Sequence, residues 1–222
     1  MALGRRLPLV LLVLALAACG GSKTKDTTSQ PTTTDATGCL SVTPPAAKAR
    51  TEPKPTKRLD AAKTYDVAIK TNCGSFTIRL AAKISPATSA SFASLTQKGF
   101  FNGTVFHRIV PGFVIQGGDP TGTGTSGPGY TTVDVPPAST RYTAGLVAMA
   151  KSANDAPGTA GSQFFVVTAP DAQLPPDYAV LGEVVKGMPV VSRIGDLGDP
   201  SSGGQGIPTE TVEIEQATLT VR

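Results

Sequence analysis

From about residue 65 onward, the chain consists of short runs of alternating apolar and polar residues, separated by Gly, Pro, Asn and Asp. Alternation with a period of two is typical of half-buried antiparallel strands. The first two runs flank Asn72-Cys73-Gly74, which predicts a hairpin with Val67, Ile69, Phe76, Ile78 and Leu80 alternating along its strands. Further strands are predicted near residues 105–109, 113–116, 146–150, 164–168, 180–185 and 212–221.

Only two segments have the features of helices. Ser85 followed by Pro86 predicts an N-cap and a first helical residue, and Gly99 can end that helix. A second, short helix is predicted near residues 190–194. The last strand changes phase along its length, which predicts a bulge near Gln216. Many short strands with two helices favour a mainly β fold built as a closed barrel.

The N-terminus has the features of an export signal. Arg5 and Arg6 precede an apolar run that ends at Ala18 and is too short to span a bilayer. We interpret residues 1–18 as a signal peptide. Residues 16–19, Leu-Ala-Ala-Cys, resemble the lipobox of bacterial lipoproteins, which implies that Cys19 becomes a lipid-modified N-terminus anchored in the membrane, outside the cytoplasm. The alternative is a plain signal peptide, cut near Ala18, with an incidental cysteine.

Residues 20 to about 62 are rich in Thr, Pro, Lys and Ala and contain few large apolar side chains. Such a segment buries too little surface to offset the entropy of ordering, so residues 19–62 are predicted to form a disordered linker behind Cys19. The folded domain is predicted to cover residues 63–222. Export favours disulfide formation, so Cys39 and Cys73 could pair; a free, buried Cys73 is the alternative.

Charge and composition exclude several functions. The formal charge of +4 falls to +2 without Arg5 and Arg6, which is too small to indicate a nucleic-acid partner. His107 is the single histidine, so neither a zinc site nor a Ser-His-Asp hydrolase is supported, and we expect His107 to be a structural residue whose hydrogen bonds are satisfied. Residues 122–127 fit G-x-G-x-x-G, but Pro128 and Gly129 prevent the helix that a dinucleotide site needs.

Two stretches carry most of the remaining information. Residues 106–119 read Phe-His-Arg-Ile-Val-Pro-Gly-Phe-Val-Ile-Gln-Gly-Gly-Asp, and residues 161–168 read Gly-Ser-Gln-Phe-Phe-Val-Val-Thr. Together, and in this order, they resemble the two signature stretches of the cyclophilin family of peptidyl-prolyl isomerases. The resemblance covers residues 63–222 and implies an eight-stranded antiparallel barrel capped by two helices.

The resemblance also implies roles for particular residues. Arg108 falls on the catalytic arginine of the family, and Gln116 falls on the glutamine that binds the substrate backbone. Ala150 and Lys151 match the edge that pairs with the peptide, and Gln163 lies in the same wall. The implied pocket for the proline ring consists of Phe113, Val114, Phe165, Leu174 and Tyr178.

The implied activity is acceleration of Xaa-Pro bond rotation in extracytoplasmic proteins by a monomer. Its partners would be proline-containing polypeptides, and it would need no metal or organic cofactor. The alternative is a non-catalytic module that holds proline-containing segments in the same groove. Gln173 falls on the tryptophan that favours cyclosporin in the sensitive members, so weak cyclosporin binding is expected.

Overall fold

The computed structural model describes Met1 and residues 38–222. Cys19 and residues 2–18 of the predicted signal peptide lie outside the described residues. Within the described part of the chain, no helix is both long enough and apolar enough to cross a membrane. The strands are β1 (Tyr65–Thr71), β2 (Gly74–Leu80), β3 (Thr104–Val105), β4 (Arg108–Val110), β5 (Val114–Gly117), β6 (Thr132–Val133), β7 (Leu146–Met149), β8 (Thr159–Ala160), β9 (Phe164–Val167), β10 (Val180–Lys186) and β11 (Glu213–Val221).

Nine of these strands form one curled antiparallel sheet in the order β3-β11-β1-β2-β10-β7-β9-β5-β4, and β6 pairs with β8 separately. The predicted closed barrel of eight strands is not confirmed: no described ladder joins the edge strands β3 and β4, and an isolated bridge between Val105 and Asp119 is the described pairing across this gap. The single strand predicted at 105–109 is divided because Phe106 and Ile109 are both buried in one core cluster. Two residues three positions apart cannot face the same side of one regular strand, so the chain leaves one ladder after Val105 and joins another at Arg108.

Alternation along the strands divides the apolar residues between the two faces of the sheet. Ile115, Val147 and Val166 point into the main core. Their neighbours Val114, Ala148 and Val167 belong to a second, smaller cluster. An antiparallel sheet with one face in water normally has polar residues on that face. The outer face of this region is apolar instead, which makes it a candidate binding surface.

The last strand contains the predicted bulge. Lys70 of β1 pairs with Gln216, but Thr71 pairs with Ile214, which leaves Glu215 as the extra residue on β11. The bulge brings both Ile214 and Ala217 into the core, although they are an odd number of positions apart. The phase change predicted near Gln216 is confirmed.

Both predicted helices are present, as α1 (Pro86–Gln97) and α2 (Met188–Gly195), and a 3-10 helix covers Pro200–Gln205. Ser85 precedes α1 as expected, but its side chain makes no capping bond. The amide of Thr88, in the first turn, donates to the carboxylate of Asp134 at 2.6 Å instead. A loop distant in sequence therefore supplies the cap.

The N-terminal strap, residues 39–60, lies along the domain and differs from the expected disordered linker. The amide of Leu40 donates to the Asn72 carbonyl (2.9 Å), and the amide of Asp60 donates to the Tyr65 hydroxyl (2.9 Å). Leu59 packs against the core. Composition indicated disorder because apolar side chains are few, but backbone hydrogen bonds and one disulfide, Cys39–Cys73, hold this segment to the fold.

We predict that the Cys39–Cys73 disulfide contributes about 3 to 4 kcal/mol to the free energy of unfolding, because it closes a loop with a sequence separation of 34 residues in the unfolded chain. The double variant C39A/C73A should lose this amount in urea denaturation. Reductant should bring the wild-type curve to that of the variant and leave the variant unchanged. A wild-type midpoint that does not respond to reductant at equilibrium would contradict the prediction.

Candidate active site

A row of in-register residues crosses the outer face of four neighbouring strands. Arg108 of β4 pairs with Gln116 of β5, and Gln116 pairs with Phe165 of β9. Phe165 in turn pairs with Ala148 of β7. Paired residues project to the same face of an antiparallel sheet, so the ladder brings the guanidinium and the aromatic ring to one surface.

This surface contains a pocket of about 220 Å³. The structure brings together nine of the ten catalytic and substrate-binding residues that the sequence indicated: Arg108, Phe113, Val114, Gln116, Ala150, Lys151, Phe165, Leu174 and Tyr178. Val114 and Phe165 form its floor, with 2% and 4% of their surface exposed, whereas Phe113, Leu174 and Tyr178 are half-buried. Residues that served the core alone would be fully buried, so the partial exposure of the walls is that of an open apolar pocket.

The guanidinium of Arg108 stands at the rim of this pocket. Its Nε and Nη2 donate to the carbonyl of Gly204, at 3.3 and 2.9 Å, and Nη1 donates to Oε1 of Gln116 at 3.5 Å. Its Cζ lies 5.9 Å from the centroid of the Phe113 ring. Burial lowers the pKa of Arg108, but an arginine remains a cation in proteins. These bonds occupy three of the five N–H groups, and no acceptor in the described part of the chain engages the other two.

Gly204 and Gly206 were not predicted to belong to the site. Gly204 lies in the 3-10 helix, and Gly206 directly follows it. The amide of Ile109 donates to the Gly206 carbonyl at 2.8 Å. A Cβ on Gly206 would come within 2.6 Å of Val110 and 2.9 Å of Arg108, and its φ of +69° also favours glycine. This close approach places the Gly204 carbonyl where it orients Arg108. The Gly-rich composition of residues 203–206 was the only available signal.

The apolar wall is an aromatic cluster that includes Tyr142, a third residue that was not predicted from the sequence. Tyr142 has no exposed surface, and its ring meets that of Tyr178 edge to face at 5.9 Å. The ring of Tyr178 meets that of Phe165 in the same way at 5.5 Å. The Tyr142 hydroxyl donates to the Tyr178 carbonyl (2.7 Å) and accepts from the Tyr178 amide (3.0 Å). Burial raises the pKa of Tyr142 to about 12, so it stays protonated and holds Tyr178 in place.

Gln163 is the one predicted substrate-binding residue that does not line the Arg108 pocket. It lines an adjacent, more polar pocket of about 620 Å³, which shares Gln116, Ala150 and Lys151 with the first. Gln116 Nε2 donates to Gln163 Oε1 (3.1 Å), and Gln163 Nε2 donates to the Ser126 carbonyl (3.0 Å). This chain of amides orients Gln116 between the two pockets. A polypeptide bound in the first pocket can continue into the second.

Ala150 and Lys151 form the boundary between the two pockets. The Ala150 amide donates to the Gln163 carbonyl at 2.9 Å. The Lys151 ammonium lies 5.6 Å from the centroid of the Tyr178 ring and donates to the Asp155 carbonyl at 3.0 Å. The cation therefore covers one side of the aromatic wall.

His107 faces away from the Arg108 pocket, as adjacent residues of an extended chain do, and lines a different groove. Burial lowers its pKa, so the ring is neutral at pH 7. The expectation of satisfied hydrogen bonds is not met: both ring nitrogens are buried, and neither has a hydrogen-bond partner among the described residues, although Gln163 and the Val105 carbonyl lie close. Among the described residues, no three His, Cys, Asp or Glu side chains are grouped so as to hold a metal ion.

Comparison with known proteins identifies this architecture. Residues 66–219 match the model of the cyclophilin type peptidyl-prolyl cis-trans isomerase/CLD family. Peptidyl-prolyl cis-trans isomerase-like 1 of Aspergillus oryzae is 41% identical over 158 residues, which cover 69% of this chain and 94% of that protein. The protein of the same name in Bos taurus is 39% identical, over 68% of this chain and 90% of its own length.

Solved structures give the same result. A cyclophilin type peptidyl-prolyl cis-trans isomerase of Cryptosporidium parvum superposes with a TM-score of 0.63 at 29% identity, over 71% of this chain and 98% of its own. A structure of the same protein in the presence of the dipeptide Ala-Pro gives a TM-score of 0.62 at 29% identity, over 70% and 98% of the two chains. These relatives are eukaryotic and give no support to a bacterial lipoprotein form. The signature stretches, the fold and these matches show that the chain belongs to the cyclophilin-type peptidyl-prolyl cis-trans isomerase family.

Proposed function

We propose that this protein accelerates the rotation of Xaa-Pro bonds in extracytoplasmic polypeptides, with Arg108 as the catalytic residue. The observation that carries this proposal is the position of the Arg108 guanidinium at the rim of an apolar pocket large enough for a proline ring. The slow step of this reaction is a rotation about the peptide bond. Rotation about a peptide bond removes amide resonance and has a barrier of about 18 to 20 kcal/mol.

Arg108 acts on the twisted state of the bond. As the amide rotates, the prolyl nitrogen loses delocalisation, becomes pyramidal and gains a lone pair that can accept a hydrogen bond. The planar cis and trans forms offer no such acceptor, so a donor aimed at this nitrogen stabilises the transition state alone. Each 1.36 kcal/mol of this difference increases the rate tenfold. Two N–H groups of Arg108 remain for this bond while Gly204 and Gln116 hold the guanidinium.

The apolar pocket contributes by position and by exclusion of water. The ring of the substrate proline packs among Phe113, Phe165, Leu174 and Tyr178, while the residue before it turns. Gln116 binds the substrate backbone beside the rotating bond, so one side of the bond is held as the other moves. Exclusion of water strengthens the hydrogen bond from Arg108. No covalent bond forms or breaks, so the proposed reaction needs neither metal nor organic cofactor.

The protein works as a monomer outside the cytoplasm, anchored to the bacterial membrane through a lipid on Cys19. The sequence around Leu16-Ala17-Ala18-Cys19 supports export and lipid modification. The Cys39–Cys73 disulfide supports an oxidising compartment, since such bonds persist there and are rare in the cytosol.

We predict that Arg108→Ala reduces kcat/KM for an Ala-Pro peptide about 100-fold, because removal of one preorganised donor to a transition state typically costs this much. Exchange NMR would measure the interconversion rate, and chemical-shift titration would measure binding. Binding should remain within a few-fold because the apolar walls are unchanged. Arg58→Ala, which removes an exposed arginine of the strap, is the matched control and should leave the rate unchanged.

Two results would overturn this assignment. Binding by the wild type without accelerated exchange would identify a binding module. A rate that depends on His107 would point away from Arg108. Because burial lowers the pKa of His107, the ring is already neutral at pH 7, and we expect no change in rate from pH 7 to 9.

Cyclosporin provides an independent probe of the pocket rim. Gln173 is exposed and directly precedes Leu174 of the pocket wall. We expect weak cyclosporin binding by the wild type and roughly tenfold tighter binding by Gln173→Trp, since a tryptophan adds a large apolar contact. Isothermal titration would measure both affinities. Tight binding by the wild type would contradict the prediction.

The proposed anchor predicts the mass of the mature protein. In a bacterial host that processes lipoproteins, intact-protein mass spectrometry should find a chain that begins at Cys19 and carries acyl groups. Cys19→Ser should move the protein from the membrane fraction to the soluble fraction. A mature chain without lipid at Cys19 would exclude the anchor and leave the isomerase assignment intact.

A further inference from the structure

The strap touches one loop of the domain at three points. The Lys48 amide donates to the Pro120 carbonyl (3.3 Å), and the Glu52 amide donates to the Pro128 carbonyl (3.0 Å). The ammonium of Lys54 donates to the Thr131 carbonyl at 2.8 Å. These acceptors lie at the two ends of the glycine-rich loop, residues 120–131. The strap therefore holds the loop from its outer side.

The inner side of the same loop is a wall of the larger pocket. Residues 124–131 line this pocket, and the Ser126 carbonyl accepts from Gln163, which in turn orients Gln116. A shift of the loop would therefore change the width of the larger pocket. A shift confined to residues 128–131, which leaves Ser126 in place, would not reach the Arg108 pocket, because none of the residues that line that pocket lies in the loop.

The two halves of the glycine-rich loop are supported differently. The first half is fixed by the buried carboxylate of Asp119, which accepts from the amides of Thr121 (2.7 Å) and Ser126 (3.1 Å). Burial raises the pKa of Asp119, but these bonds outweigh it and hold that pKa below its usual value, so the carboxylate stays ionised. In the second half, Tyr130 bonds to Ser91 of α1 at 2.9 Å, and the strap supplies the bonds to Pro128 and Thr131.

The strap is itself held firmly enough to act as a support. Glu52 forms an ion pair with Lys98 at the end of α1, at 2.8 Å. The guanidinium of Arg50 donates to the Phe100 carbonyl. The Cys39–Cys73 disulfide fixes one end of the strap, and the bond from Asp60 to Tyr65 fixes the other. A segment fixed at both ends and in the middle can set the position of a loop that it touches.

We propose that Lys54, together with the backbone of Glu52, is a positioning residue that sets the affinity of the isomerase for the substrate residues flanking the Xaa-Pro pair. This inference rests on the proposed function. Lys54 acts through the Thr131 carbonyl on the wall of the larger pocket and has no contact with Arg108. The affinity for substrates that fill only the Arg108 pocket does not depend on Lys54. The affinity for longer polypeptides, which extend into the larger pocket, does depend on it.

The test compares two substrates and three variants of the full, oxidised chain. The substrates are a blocked Ala-Pro dipeptide and a six-residue peptide with Ala-Pro at its centre. Lys54→Met keeps the apolar stem but removes the donor, Lys54→Arg restores a donor, and Lys57→Met removes a nearby exposed lysine as the matched control. Exchange NMR gives kcat and KM for each combination of protein and substrate.

Lys54→Met should raise KM for the six-residue peptide roughly three- to fivefold, as expected for loss of one charged hydrogen bond, and should leave kcat within about twofold. The dipeptide should show no change. Lys54→Arg should restore KM, and Lys57→Met should match the wild type. Hydrogen exchange of the loop amides should become faster in Lys54→Met alone.

The failures of the two proposals are distinguishable. A wild type that accelerates neither substrate would overturn the proposed function. A wild type that accelerates both, with Lys54→Met unchanged on the six-residue peptide, would overturn the positioning role alone. Equal losses on both substrates, accompanied by a lower Tm, would also overturn it, because they would assign Lys54 a purely structural role.

Discussion

The register of the β4-β5-β9-β7 ladder is the constraint on which the rest of the structure depends. It aligns Arg108, Gln116, Phe165 and Ala148 in one row, and it does so because the apolar side chains on the opposite face of these strands are packed in the core. A shift of one residue in β4 would move the guanidinium into the core and Ile109 into solvent. The cost of an unpaired buried cation and of several exposed core side chains makes such a shift unfavourable. The hydrophobic core therefore fixes the geometry of the site on the other side of the sheet.

Much of this arrangement could be predicted from local sequence patterns. The alternation around Ile115 and Val166 located β5 and β9, and Pro86 and Gly99 located the ends of the first helix. The site residues themselves followed from a resemblance to a family, since nothing in the spacing distinguishes Arg108 from a surface arginine. The division of β3 from β4 depends on Phe106 and Ile109 both reaching the core, which a period-of-two pattern does not express.

The features that escaped prediction are contacts between residues distant in sequence. Arg108 meets Gly204 across 96 positions, and Lys54 meets Thr131 across 77. In both contacts the acceptor is a backbone carbonyl, which every residue has, so no residue type marks the partner. The strap was interpreted as disordered for the same reason, because its composition reports side-chain burial and its stability comes from backbone bonds and a disulfide. Tyr142 was missed because a buried tyrosine in a mainly β chain is ordinary until its hydroxyl is seen to hold Tyr178.

The support of Arg108 by the Gly204 carbonyl has a consequence for the proposed mechanism. A guanidinium that moved freely would lose conformational entropy when it bonded to a twisted amide, and this loss would reduce the stabilisation of the transition state. Gly204 and Gln116 hold the guanidinium in advance, so this entropy is lost during folding and not during the reaction. Both partners accept hydrogen bonds, and neither carries a charge that would neutralise the cation. Arg108 is thus fixed in place with its charge intact, as its proposed role of donor to a short-lived lone pair requires.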